Sequence, residues 1–424
     1  MRKKIILRGH ILSRSGYGEH ARFVMRSLKT VEDKIDIYAI PTGWGHTGWT
    51  TETDDERRWI DFIVQKTHAA LNNGMNVFDA SIQVSIPNEW EKIAPVNIGV
   101  TAGIETTKVA PQWLEKGNIV DHIIVPSEHS KNVYEKTAYD VVVNETQQQI
   151  PNYKCETPIT TVSYPAKEFD AADDLILDLD TDFNFVSVAQ WGPRKNVENS
   201  IKWFVEEFID QEVGLVLKTN FVKNSLMDRE KCLSNIRAVL SNKNYVNRKC
   251  KIYLLHGDMS DAEMHYLFRH PKIKAFISTS HGEGFGLPFY EAAYEGLPVV
   301  APDWSGYLDF LYMPVKNKKN RVRNKKMFAA VDCSLAPIPE NSAWEGVLVK
   351  DSLWCYPEQG SFKIKLREVY KDYGRFVKQA KQLQEYIKEN LSEEKQNKMM
   401  SDVILSVLNF EDEKVVASED VQVF

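Results

Sequence analysis

Two α/β domains in tandem, each a parallel sheet flanked by helices, are the fold that the sequence predicts. Three observations carry this. Short apolar runs alternate with helix-like stretches through most of the chain, the pattern of strand–helix–strand units. The alternation breaks once, at an acidic stretch over 167–182, and then restarts. At 424 residues the chain exceeds one ordinary domain and suits two.

The first half opens on an apolar run, 4–9, a glycine-containing loop, 10–18, and a helix, 19–28, with Ala21, Phe23, Val24, Met25 and Leu28 at helical spacing. Strand, glycine loop and helix in that order open a Rossmann-like unit. Further strands are predicted at 35–40, 80–86, 96–100 and 122–126. The break that follows carries Glu168, Asp170, Asp173, Asp174, Asp178, Asp180 and Asp182, and reads as an interdomain connection. In the second half, strands are predicted at 185–189, 213–218, 251–255, 275–278 and 299–301. Helices are predicted at 197–209, 228–240, 261–268 and 289–294. Beyond Ser361 the pattern is helical to about Leu408, and 411–424 is an acidic tail. The expected division is 1–166 for the first domain, 167–390 for the second with a basic insertion at about 314–348, and 391–424 for a last helix and tail.

With 43 % hydrophobic and 26 % charged residues, the composition supports two packed cores and excludes a disordered chain. A net charge of −6 gives no global pull towards nucleic acid or anionic membrane. Five cysteines without a CxxC pair argue against a disulfide framework or a cysteine-rich zinc site, and suit a reducing cytoplasm. No apolar run is long enough to cross a membrane, and the first residues lack a leader pattern, so a cytoplasmic location is expected.

The chemistry concentrates in 281–298. A buried strand ends in His281-Gly282-Glu283-Gly284-Phe285-Gly286-Leu287-Pro288, a helix follows, and Gly296 and Pro298 stop it. Closely spaced glycines let a ligand approach the backbone, and the free N–H groups of a helix start suit a diphosphate. Glu283 and Glu291 flank that cradle and are expected to face one crevice. Carboxylates suit sugar hydroxyls, which donate hydrogen bonds, and repel phosphate. The ligand expected is therefore phosphorylated at one end and hydroxyl-rich at the other. Arg194 and Lys195 follow the first strand of this half. Cations at a helix start oppose its dipole, so a bound anion is expected there.

Glu283 and Glu291, separated by seven residues, and the run from Glu283 to Pro288 resemble the EX7E motif of retaining GT-B glycosyltransferases, family 4 in particular. The resemblance spans roughly residues 5–310 and becomes sparser to about 405. It implies two Rossmann-like domains facing a central cleft, with the last helix crossing back to the first domain. It further implies a nucleotide-sugar donor, a UDP- or GDP-sugar, held mainly on the second domain, and a metal-independent transfer to a hydroxyl acceptor. Gly16, Gly18, Arg194, Lys195, Gly257, Met259, Gly284, Phe285, Gly286 and Leu287 fall where that family binds its donor. Glu291 would bind ribose and Glu283 would orient the sugar. The acceptor implied is a glycan or a lipid. Alternatives are a hydroxymethylated base of phage-type DNA, or a nucleotide-sugar epimerase on the same fold.

Two departures stand out. Where many relatives carry a histidine in the first domain, this chain reads Thr101 to Thr107, and Glu105 is the candidate substitute. The segment 307–353 is long, and Lys316, Lys318, Lys319, Arg321, Arg323, Lys325 and Lys326 place seven cations in eleven positions. A basic loop lining the cleft would fit a phosphate-bearing acceptor. Asp178, Asp180 and Asp182 match a metal-binding DxD pattern but lie in the connection, so no metal site is expected.

Overall fold

The computed structural model describes residues 2–51, 53–142, 148–168, 175–316 and 320–409. Two six-stranded parallel sheets organise it. The first runs, edge to edge, Ile35–Pro41, Lys3–Gly9, Ala80–Val84, Val96–Val100, His122–Val125 and Ile159–Thr161. The second runs Lys251–Leu255, Val213–Asn220, Phe183–Gln190, Ile273–Ile277, Val299–Pro302 and Ala329–Val331. In chain order the second sheet reads 3-2-1-4-5-6, the doubly wound arrangement. Helices cover both faces, so the strands carry continuous apolar runs. All five residues of Ala80–Val84 are buried, as are the first five of Val213–Asn220.

Order reverses between Lys3–Gly9 and Ala80–Val84 in the first sheet, and between Phe183–Gln190 and Ile273–Ile277 in the second. In such sheets ligands bind beyond the carboxyl ends of the strands at that reversal. The loops there are 10–15 in the first half, and 191–196 with 278–286 in the second.

The last helix, Glu393–Val407, lies on the first domain against Gly16–Lys29. Met400, Ile404, Leu405 and Leu408 join the core formed by Val24, Leu28 and the first sheet. Ser27 Oγ donates to Asn397 Oδ1 at 3.0 Å, and Arg26 faces Glu393 at 3.4 Å. The two passages between domains touch, with the Ala166 N–H donating to the Leu391 carbonyl at 2.8 Å.

The long segment after Gly306 is not an open loop. It forms a hairpin, Tyr312–Lys316 with Val322–Lys326, and a second, Cys333–Pro337 with Leu353–Pro357. The stretch between the strands of the second hairpin reaches back to the first domain. Val347 and Val349 pack beside Trp90 and Trp113, Asn88 Nδ2 donates to the Gly346 carbonyl at 2.9 Å, and the Leu353 N–H donates to Thr107 Oγ1 at 2.9 Å. Alternation alone did not mark these hairpins, nor the edge strands Ile159–Thr161 and Ala329–Val331, each only three residues long. Asp170, Asp173, Asp174, Lys318, Lys319 and the acidic tail lie outside the described residues.

Candidate functional site

Strand Ile273–Ile277 delivers the loop 278–286 to the meeting of the two domains. The glycines there serve backbone contact before any ligand. A Cβ on Gly282 would sit 2.1 Å from the Glu105 carbonyl, and one on Gly284 would sit 2.7 Å from Gly103 Cα. Ser127 Oγ donates to the Gly284 carbonyl at 2.6 Å, and the Glu128 N–H donates to Asp309 Oδ2 at 2.7 Å, both across the domain boundary. Gly284 is thus committed to the opposite domain and does not act as an open cradle. Phe285 is also not a ligand contact through its ring, which is buried among Tyr164, Tyr290 and Phe310. Gly286 has φ +92°, a left-handed value that glycine adopts without strain, and it starts the helix Leu287–Tyr294. Among the described residues, the backbone N–H groups of Phe285, Gly286 and Leu287 donate to no protein acceptor. Free N–H groups at a helix start are the kind of donor that suits an anion.

Glu283 lies at the centre of an ion cluster. Arg194 Nη1 reaches Glu283 Oε2 at 3.0 Å and donates to the Gly282 carbonyl at 2.6 Å, while Lys195 Nζ pairs with Glu283 Oε1. Ser280 Oγ donates to the same oxygen at 2.8 Å, and Arg194 Nη2 faces Glu105 at 3.4 Å. The Glu283 N–H donates to Ser305 Oγ at 2.6 Å, and Ser305 is held at φ 115°, a strained value for a serine. Burial alone would raise the Glu283 pKa, but Lys195 and Arg194 outweigh it and hold the carboxyl at about 2. The charges of Arg194 and Lys195 are thus already partly balanced by the protein's own carboxylate. Desolvated charges are tolerated only when paired in this way.

Glu291 belongs to a different environment. It lines a cavity of about 600 Å³ between the domains, walled by Leu287, Tyr290, Met259 and Asp261 from the second and by Ser15 and Tyr164 from the first and the passage between them. Burial pushes its pKa up to about 8, Asp261 and Glu19 add to the rise, and Lys167 opposes it. The upward shift favours the carboxylic acid form, which can both donate and accept a hydrogen bond. Arg14 and Asp258 span this cavity between the domains at 3.2 Å. Lys218, at the carboxyl end of its strand, donates to the Gly257 carbonyl, and burial lowers its pKa while Asp258 opposes.

The expected residues therefore separate. Met259, Gly257, Leu287 and Glu291 line the cavity. Glu283, Glu105, Arg194 and Lys195 assemble beside it as the ion cluster, so the expectation that both glutamates face one crevice is corrected. A Cβ on Gly16 would meet no atom within 4 Å. A Cβ on Gly18 would fall 1.9 Å from the Ser13 carbonyl, so Gly18 shapes its own loop. Arg321, Arg323, Lys325 and Lys326 do not line the interdomain cavity, because the segment pairs into a hairpin on the outer edge of the second domain. Arg14, Lys218, Tyr164 and Lys167 were missed. Lys218 had a readable signal, a polar residue ending an apolar strand. Tyr164 and Lys167 come together with Glu19 only through the fold, with Lys167 2.6 Å from Glu19.

Among the described residues, one group of side chains has metal-ligand character, Asp228, Cys232 and His256. The Asp228 carboxylate already accepts from the N–H groups of Phe221, Val222 and Lys223 and lies 3.1 Å from His256 Nε2. Its pKa is low because those donors outweigh burial. This cluster ties down the loop 221–225 at the cavity rim. Asp178, Asp180 and Asp182 are exposed.

No protein-family model and no curated protein sequence matches this chain. Solved structures do match its fold. Sucrose-phosphate synthase from Thermosynechococcus elongatus is 12 % identical with a TM-score of 0.59, over 96 % of this chain and 99 % of that one. HepE from Anabaena, solved with UDP, is 12 % identical with a TM-score of 0.57, over 95 % and 100 %. A glycosyltransferase from Rickettsia africae ESF-5 is also 12 % identical with a TM-score of 0.57, over 97 % and 100 %. Two longer proteins, TarM of S. aureus and the pneumococcal GtfA, are matched over only 55 % and 60 % of their own lengths, at TM-scores of 0.44 and 0.46. The fold is GT-B: two parallel-sheet α/β domains face one another across a cleft, and the last helix crosses back.

Proposed function

We propose that this chain is a glycosyltransferase that moves a sugar from a nucleoside-diphosphate sugar to a hydroxyl acceptor, with retention at the anomeric carbon. One observation carries the reading. Within nine residues the chain offers Glu291 to a cavity of about 600 Å³, then backbone donors at Leu287 to Phe285, then Glu283 beneath Arg194 and Lys195. A nucleoside, a diphosphate and a sugar follow one another in the same order. HepE, which shares the fold, is solved with UDP, and this makes UDP-sugars the first donors to test.

In this reading the ribose hydroxyls meet Glu291, and the diphosphate lies on the helix start. The acceptor oxygen attacks C1 from the face that the diphosphate leaves. The C1–O bond to the diphosphate breaks, and the acceptor proton passes to the departing phosphate oxygen. Arg194 and Lys195 stabilise the charge that develops there. Glu283 holds those cations in place, and Glu105 approaches the same point from the first domain. The acceptor is a glycan or a lipid, with a DNA base as the second reading.

A thermal-shift panel of UDP-, GDP-, ADP- and CMP-sugars tests donor binding, since a ligand that binds the native state raises its stability. One donor class should stabilise the chain and the rest should not. Product analysis then separates the reactions. Free nucleotide with a transferred sugar supports transfer, whereas an isomerised nucleotide sugar points to an epimerase. No stabilisation by any of the four classes would defeat the donor assignment.

A further inference from the structure

The hairpin that stands apart from the interdomain cavity builds a second charged face. Arg321, Arg323, Lys325 and Lys326 lie on or next to the strand Val322–Lys326, all of it exposed. Beside the strand, against the helices Gln359–Lys371 and Tyr373–Asn390, is a depression of about 710 Å³. Lys325, Lys326, Lys365, Arg375 and Lys378 line it, opposed by Asp332 and Glu368. Asp303 and Asp372 pair with two of these cations from just outside the depression, so five cations less four carboxylates leave +1 there, to which Arg323 on the exposed strand adds, in a chain with a net charge of −6.

The surplus is available to a ligand. Lys326 pairs with Asp303 at 2.5 Å, Lys365 with Glu368 at 3.2 Å and Arg375 with Asp372 at 2.7 Å. Among the described residues, Arg323, Lys325 and Lys378 have no ion-pair partner. Arg323 and Lys325 alternate along the strand, which places their side chains on one face about 6.7 Å apart, and Arg321 immediately precedes it. Neighbouring phosphates of a phosphodiester backbone have a comparable spacing.

The form of the polyanion follows from what the face lacks. Phe328 and Phe376 are each only 5 % exposed, and the half-buried Tyr312 of the hairpin stands edge-on to Phe328 with its hydroxyl on Asp303, so none of these rings lies open as a platform for bases. Single-stranded nucleic acid is normally held by such platforms, whereas a duplex keeps its bases stacked and presents phosphate. Val322 is the one large exposed apolar side chain among the described residues of the hairpin and the depression, too little for insertion into a lipid surface. The face also connects to the candidate site. Asp303, which anchors Lys326, is two residues from Ser305, whose hydroxyl bonds the Glu283 backbone.

We propose that this face binds the phosphate backbone of duplex DNA without reading its sequence, and so holds a polymeric substrate beside the Glu283 end of the cleft. The binding stands on these residues alone, and only its link to catalysis rests on the transferase reading. The test is fluorescence anisotropy of the full chain with a labelled duplex of about 20 base pairs at about 50 and about 200 mM salt. Binding should be measurable at low salt and fall steeply at high salt. The triple variant Arg323→Gln, Lys325→Gln, Lys378→Gln should bind at least about tenfold more weakly, with the log–log salt slope reduced by about 3, near one for each lost phosphate contact. Its melting temperature should equal that of the parent. If the triple variant is unstable, Lys378→Gln alone, on an exposed helical position, should reduce the slope by about 1. The proposal fails if no duplex binds, if the variants bind like the parent, or if a single strand, phosphatidylglycerol vesicles or a polyglycerol phosphate binds more tightly. A failed donor panel with intact duplex binding would remove the transferase reading and leave this one standing.

Discussion

Glu283 and Glu291 lie eight positions apart on one loop and helix, yet their surroundings drive them in opposite directions. Both are desolvated, which favours the neutral acid. At Glu283, Lys195 and Arg194 overturn that preference and bring the pKa to about 2. At Glu291 no cation overturns it: burial raises the pKa, Asp261 and Glu19 add to the rise, and it reaches about 8 against the opposing Lys167. One glutamate is a fixed negative charge with its partners already in place. The other favours the neutral acid and faces an open cavity. Spacing in sequence therefore says where two carboxylates are, and the charges around them decide what each can do. A pair of groups with pKa values pushed apart in this way is a common mark of a working site.

The largest test removes the charged member. Glu283→Ala strips the buried carboxylate from the half-buried Arg194 and Lys195. Breaking a buried ion pair on one side typically costs about 3–5 kcal/mol. The variant should therefore unfold at markedly lower urea, and transfer should be lost. Glu283→Gln keeps the shape and one acceptor, and should recover part of the stability but not the activity. An alanine variant with parental stability and turnover would show that the cluster matters to neither.

The second test uses pH. Glu283 has a folded pKa below its unfolded value of about 4.5, so its stabilisation is present above pH 4.5 and is lost as pH falls towards 2. Glu291 has the reverse sign. Its folded pKa lies above the unfolded value, so stability is unaffected below about pH 4.5 and declines as pH rises towards 8. Glu291→Gln removes that decline. The variant should match the parent in urea melts at pH 5 and exceed it at pH 9. Equal stability at both values would show that Glu291 is ionised without penalty in the folded protein.

Much of the architecture was legible because parallel strands buried on both faces leave continuous apolar runs. Val96–Val100, almost wholly buried, was located to the residue, and so was the edge strand Lys251–Leu255, which is half-buried yet keeps the apolar run of Ile252 to Leu255. The start of the helix Leu287–Tyr294 was marked by Gly286 and Pro288. The hairpins after Gly306 were not legible, because Val322–Lys326 carries three cations and one apolar residue and has no buried face to impose alternation. Within the site, the loop and its two glutamates could be read as a unit, since they are local. Their electrostatic difference could not. Asp261, Glu19 and Lys167 reach Glu291 from three separate parts of the chain, and Glu105 reaches Arg194 from the other domain. The glycines also misled in part. Gly284 and Gly18 are required by close backbone contacts inside the protein, a demand that looks the same in sequence as a ligand's.

A smaller effect is expected at the hinge between the two glutamates. Gly286→Ala places a Cβ at φ +92° and within 3.1 Å of Phe289 and 3.2 Å of Tyr307. A strained backbone of this kind costs on the order of 1–3 kcal/mol. The helix start would turn, and its N–H groups with it, so donor stabilisation in the thermal-shift assay should fall by more than the loss of stability explains. Undiminished donor stabilisation would mean that those N–H groups do not hold the phosphates.

The smallest effect is expected across the mouth of the cavity, where Arg14 meets Asp258 at 3.2 Å with side chains 27 % and 65 % exposed. Exposed pairs of this kind contribute at most about 1 kcal/mol and weaken with salt. Arg14→Ala should therefore barely change the urea midpoint. The pair joins the two domains over the space that Glu291 faces, so its effect should appear in ligand binding instead. If the donor occupies this cavity, Arg14→Ala should alter its affinity several-fold while leaving the Glu283 cluster, and hence acid stability, unchanged. A shift in acid stability without a change in donor affinity would place the donor away from the cavity and break the division between the two glutamates.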